Sequence, residues 1–148
     1  MAQPRSAFGK KEVGRGRSPE PLDFFICYSS ATGVFGSPGQ SSYSAANSYL
    51  DAFCQALRQM GVPATSVQWG AWRDIGMAAR QAPHHTARLV AKGIRPMATD
   101  RALSALDRAI ETEFPTVVVL SADWKIVATQ SDVSSEALLS ELFHAAAP

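Results

Sequence analysis

The chain has 148 residues, enough for one domain, and its 46% hydrophobic and 18% charged residues are compatible with a packed core. A net charge of +1 argues against a dedicated nucleic-acid binder, and no apolar run approaches the roughly 20 residues that a membrane helix needs. No hydrophobic segment opens the chain, so no secretory signal is expected and a cytoplasmic location is.

Residues 1–20 read as a basic, disordered leader: Arg5, Lys10, Lys11, Arg15 and Arg17 face only Glu12 and Glu20, and no apolar period is present. Residues 21–130 form the structured domain, and residues 131–148 a tail or linker. The run Phe24, Phe25, Ile26, Cys27, Tyr28 suits a strand buried on both faces, as in a parallel sheet. Residues 29–42, rich in Gly, Ser and Pro, predict a loop. From Ser42, Tyr43, Ala46, Leu50, Phe53, Leu57 and Met60 recur at helical spacing, with Gly61 and Pro63 as the stop. Residues 65–69 predict a second strand, and residues 70–96 an irregular or weakly helical stretch. Thr99 is the expected N-cap of a helix carrying Leu103, Leu106 and Ile110. The β-branched residues 116–120 predict a third strand. After Ser131 the chain predicts a short helix through Leu138, Leu139, Leu142 and Phe143, or a linker.

Strand–loop–helix–strand–helix–strand is an α/β pattern, and three strands are few for a parallel sheet with both faces covered, so the sheet reads as incomplete. Cys27 and Cys54 lie in apolar runs without a Cys-x-x-Cys pair and predict small buried hydrophobes in a reducing compartment. The adjacent His84 and His85 do not face one metal from a helix, and no metal site is predicted.

The chemistry concentrates between Ser29 and Asp51. A serine ends a buried strand, a tyrosine opens a helix thirteen residues later, and Asn47 follows Tyr43 at i+4 on the same helix. Ligands of open α/β sheets bind beyond the carboxyl ends of the strands, which puts Ser30 at the functional edge.

The run Ser29-Ser30, Gly33, Gly36, Gly39-Gln40, Tyr43, Asn47, Leu50-Asp51 resembles the ketoreductase domains of polyketide synthases, within the short-chain dehydrogenase/reductase superfamily. Thr32 stands where Ala is usual. The likeness continues through Trp69-Gly70-Ala71-Trp72, Gly76-Met77 and Asp123-Trp124, over roughly residues 21–126. The resemblance implies the C-terminal portion of a Rossmann-like, doubly wound parallel sheet. It implies NADPH-dependent reduction of a β-ketoacyl group, tethered to an acyl carrier protein, to a β-hydroxyacyl group. Ser30, Tyr43 and Asn47 are then the catalytic set: Ser30 polarises the ketone, Tyr43 gives the proton, and Asn47 supports a lysine and water. A phenol with pKa about 10 is a poor acid until its anion is stabilised, which a lysine and the cofactor ribose do in this family.

Tyr43, Trp69 and Gly70 are the expected cofactor contacts, and Phe35, Pro38, Gln40 and Met77 the expected substrate contacts. Phe35 stands where one product class carries tryptophan, and Pro38 matches the opposite class, so a D-configured product is expected. No G-x-G-x-x-G follows a strand, and neither Lys10 nor Lys11 has the spacing of the family lysine. The alternative is therefore an inactive fragment or non-enzymatic partner that joins a complementary N-terminal half.

Overall fold

In the computed structural model, described here for residues 22–75, 83–130 and 139–140, three parallel strands form the main sheet. The elements in chain order are β1 (Phe25–Ser30), α1 (Thr32–Phe35), α2 (Ser41–Gln59), β2 (Ala64–Trp69), α3 (Pro83–Ala91), β3 (Ile94–Arg95), α4 (Thr99–Ile110), β4 (Thr116–Val119), β5 (Ser121–Ala122) and α5 (Trp124–Gln130). β2 lies between β1 and β4, parallel to both, with Ser30 opposite Trp69 and Trp69 opposite Val119. This is the expected Rossmann-like α/β architecture, and the three predicted strands form its sheet.

The two faces of β2 differ in chemistry. Val67 and Trp69 pack with Met97, Ala102 and Ala109 of the α4 layer, joined by Ile26, Leu106 and Val119. The other face offers Ser66 and Gln68, both buried, to α2. α2 answers with Asn47, Asp51 and Cys54, its three buried residues. The apolar series read from the sequence is therefore not the sheet-facing stripe. Tyr43, Phe53 and Met60 are exposed, because the strand face opposite α2 is polar and selects a polar partner. Phe53 instead packs edge-on against Phe25 of β1 at 6.3 Å, with Tyr49 stacked beside it.

Arg58, in the last turn of α2, fastens this layer to the rest. Its guanidinium donates to the carbonyls of Ala64 and Thr112, each at 2.8 Å, and to Thr65 Oγ1 at 3.2 Å.

Several expectations are corrected. Residues 29–42 are not one loop: β1 runs to Ser30, and Val34 and Phe35 both donate to the Ala31 carbonyl, winding α1. Ala98, not Thr99, caps α4, because its extended backbone lets its carbonyl accept from Ala102 N at 3.0 Å one residue earlier. The stretch 70–96 holds α3 and β3, and β3 pairs antiparallel with β5, a two-residue ladder too short to show a period. Cys54 is buried, as expected, and Cys27 half-buried. The leader 1–20, Met77 and most of the tail lie outside the described residues. Leu139 and Ser140 are helical, and Leu139 is buried.

Candidate active site

β1 delivers two serines to the carboxyl end of the sheet, and strand alternation sends them opposite ways. Ser29 Oγ donates to the Asn47 carbonyl at 3.2 Å, tying β1 to the helix that carries Tyr43. Ser30, 8% exposed, turns to the other side. Its Oγ accepts from Thr32 N at 3.3 Å and from Thr32 Oγ1 at 3.0 Å. A hydroxyl has two acceptor positions and one proton, so these bonds leave the Ser30 proton for an incoming oxygen.

α1 lies close over α2. A Cβ on Gly33 would sit 3.3 Å from both Asp51 Oδ2 and Ser48 Oγ, so a side chain there would need those groups to give by a few tenths of an ångström. Asp51 accepts from Ser66 Oγ at 2.6 Å and from Gln68 Nε2 at 2.7 Å. A buried carboxylate thus joins α2 to the central strand. The sequence places Asp51 in the motif without a role, and the signal that could have found it is its i+4 spacing from Asn47.

Tyr43 stands in the first turn of α2. Asn47 Nδ2 donates to the Tyr43 carbonyl at 2.8 Å, so the asparagine amide is spent on the helix backbone. One cleft, of about 660 Å³, has Ser30, Phe35, Pro38, Gln40, Tyr43, Trp69 and Gly70 among its lining residues. The fold therefore brings together seven of the nine predicted site residues. Asn47 is buried and does not line the cleft, and Met77 is outside the described residues.

Other walls are aromatic or aliphatic. Trp69 lies between Tyr28, at 5.6 Å, and Trp72, edge-on at 5.0 Å. Its buried Nε1 has no hydrogen-bond partner among the described residues. Gly70 donates to the Val119 carbonyl at 2.8 Å, and a Cβ there would meet Leu120 Cβ at 2.8 Å, so packing against the end of β4 requires a glycine. Lys92, just past α3, supplies the one charged side chain among the described residues that line the cleft. Sequence reasoning missed Lys92, Thr32 and Ile75 as cleft residues, because their placement depends on tertiary folding. No group of three or more metal-ligating side chains occurs among the described residues.

A serine at the end of a parallel strand and a tyrosine on the following helix, meeting at one cleft beyond the sheet, define a Rossmann-like site of the short-chain dehydrogenase/reductase kind. The family model described as KR domain matches residues 9–74. The pikromycin polyketide synthase component PikAIII of Streptomyces venezuelae is 43% identical over 119 residues, 80% of this chain and 7% of that protein. A phthioceranic/hydroxyphthioceranic acid synthase of Mycobacterium tuberculosis is 54% identical over 68 residues, 46% of this chain and 3% of that protein. Among solved structures, an A-type ketoreductase from a modular polyketide synthase superposes with a TM-score of 0.69 at 40% identity, covering 76% of this chain and 23% of that one. The first ketoreductase of the tylosin synthase gives 0.63 at 38%, covering 79% and 24%. Residues 9–74 thus carry part of a KR domain, and most of the chain is similar to the ketoreductase domains of polyketide synthases. It spans less than a tenth of the curated relatives named here and about a quarter of the solved ketoreductases.

Proposed function

We propose that the cleft is the catalytic half of a β-ketoacyl reductase that acts in polyketide synthesis on a substrate tethered to an acyl carrier protein. The observation that carries this reading is that Ser30 and Tyr43 line the same cleft, with the Ser30 oxygen already accepting two hydrogen bonds. The Ser30 proton points the ketone oxygen into place and stabilises the negative charge that develops on it. Tyr43 holds a proton at Oη and delivers it to that oxygen as the carbinol forms. Phe35, Pro38 and Ile75 line the cleft with apolar surface and limit water at the reacting carbonyl.

A nicotinamide cofactor, NADPH in this reading, supplies the hydride. The residues present fit its nicotinamide end: Tyr43, Trp69 and Gly70 line the cleft, and the orphaned Trp69 Nε1 is a donor in want of an acceptor. Among the described residues no G-x-G-x-x-G follows a strand, so in this reading the pyrophosphate end of the cofactor falls to a complementary upstream half. Asn47 belongs to the catalytic set as a support of the Tyr43 backbone. The alternative of an inactive fragment rests on the same missing motif.

The test is made in a joined domain, in which this chain follows the upstream half of a related ketoreductase in frame. Tyr43→Phe is expected to lower kcat by at least ~100-fold while NADPH affinity barely changes. An unaffected rate removes Tyr43 from the chemistry, and an equal loss of cofactor binding indicates misfolding.

A further inference from the structure

Thr32 occupies a position where the resemblance leads one to expect alanine, and it lines the cleft. Its surroundings are fixed from both sides. Ala31 N donates to the Trp69 carbonyl at 2.9 Å, which pins the peptide between Ser30 and Thr32 to the end of β2. The Ala31 carbonyl in turn accepts from Val34 N at 3.1 Å and Phe35 N at 2.9 Å, closing α1 around it. The 3.0 Å contact between Thr32 Oγ1 and Ser30 Oγ is thus held between two hydrogen-bonded stretches of backbone.

We infer that Thr32 is a positioning residue for Ser30: its hydroxyl donates to Ser30 Oγ, fixes that side chain's rotamer and commits the Ser30 proton to the substrate. The inference rests on the reductase reading above and deepens it. A ketone oxygen has no proton to give, so Ser30 donates to it, and Thr32 keeps the donor role toward Ser30 that it has in the empty cleft. Hydrogen bonds in series polarise one another, so a donating Thr32 strengthens the bond that Ser30 makes to the developing oxyanion. An alanine at this position would leave only the Thr32 backbone N–H contact, 3.3 Å long, to orient the serine.

Thr32→Val keeps the shape and removes the hydroxyl, and Thr32→Ser restores it. In the joined domain, Thr32→Val is expected to lower kcat about three- to tenfold, the scale of one neutral hydrogen bond, with the NADPH KM unchanged. Thr32→Ser is expected to recover most of the rate. In a Ser30→Ala background, Thr32→Val is expected to cost nothing more, because the group it positions is gone. Additive losses in that double mutant, or full activity of Thr32→Val, would overturn the inference.

A crystal structure of the Thr32→Val chain gives a readout independent of turnover. Ser30 Oγ is expected to leave its single rotamer for a mixture, and an unchanged rotamer counts against Thr32 even if the joined domain reduces no ketone. An inactive wild-type joined domain with a shifted serine rotamer in the variant would refute the reductase reading and leave the positioning role standing.

Discussion

Ser66 and Gln68 point two polar hydrogens at the α2 layer, and Asp51 receives both. Removing a buried acceptor leaves its donors unpaired, which costs more than the bond itself contributes. Asp51→Leu is therefore expected to destabilise the fold by about 2–4 kcal/mol in urea unfolding. Asp51→Asn is expected to cost about 1 kcal/mol, since the Gln68 amide can turn its oxygen to the new amide group. Equal losses in the two variants would show that the hydrogen bonds do not set the stability of this layer.

Cys54 gives a pH-dependent case. Burial pushes its thiol up from 9.0 to about 12, and the Cys27 thiol beside it adds to the shift. The folded protein favours the neutral thiol, whereas the unfolded chain ionises near 9.0. Unfolding then releases a proton, so this contribution to stability is full below pH 9.0 and is lost as pH rises toward about 12. Urea unfolding on both sides of pH 9.0 should show a shallower alkaline decline in Cys54→Ala than in the wild type. Parallel pH curves would contradict the assignment.

At the scale of elements, α1 and the loop that follows it shape the cleft mouth. Phe35 closes α1, Pro38 lies in the loop, and both line the cleft. A difference of about 1.4 kcal/mol between two substrate poses already gives tenfold selectivity, an amount that one aromatic ring can supply by steric clash. With phenylalanine at 35 and proline at 38, the D-configured β-hydroxyacyl product is the proposed outcome for the joined domain. Chiral chromatography of that product decides it, and a predominantly L product would contradict it.

The same elements show what the sequence makes legible. Ser30 and Tyr43 can be read directly, because a strand end, a glycine-rich turn and a helix start keep them within one local stretch. The face that α2 buries cannot be read from its apolar spacing, because the polar face of β2 decides which side of the helix meets the sheet. Lys92 reaches the cleft only through the α3–β3 excursion, whose two-residue strand carries no period of its own. Thr32 is visible as a departure from a pattern, but its bond to Ser30 needs coordinates.

At the scale of the whole molecule, β1 stands at one edge of the three-stranded sheet, with β2 as its only neighbour among the described residues. Phe24 and Tyr28 at this edge are each more than half exposed. An unpaired parallel strand flanked by exposed aromatics is a surface that further chain can cover. Among the described residues no helix is long and apolar enough to cross a membrane. The open β1 edge is where the proposed complementary half would join the sheet. The most direct measurement is NADPH-dependent reduction of a β-ketoacyl thioester by the joined domain, set beside the 148-residue chain alone. The joined domain is expected to form the β-hydroxyacyl product, while the chain alone forms none and shows no submicromolar NADPH binding. A joined domain that binds NADPH and leaves the thioester unreduced, or tight NADPH binding by the chain alone, would contradict the account.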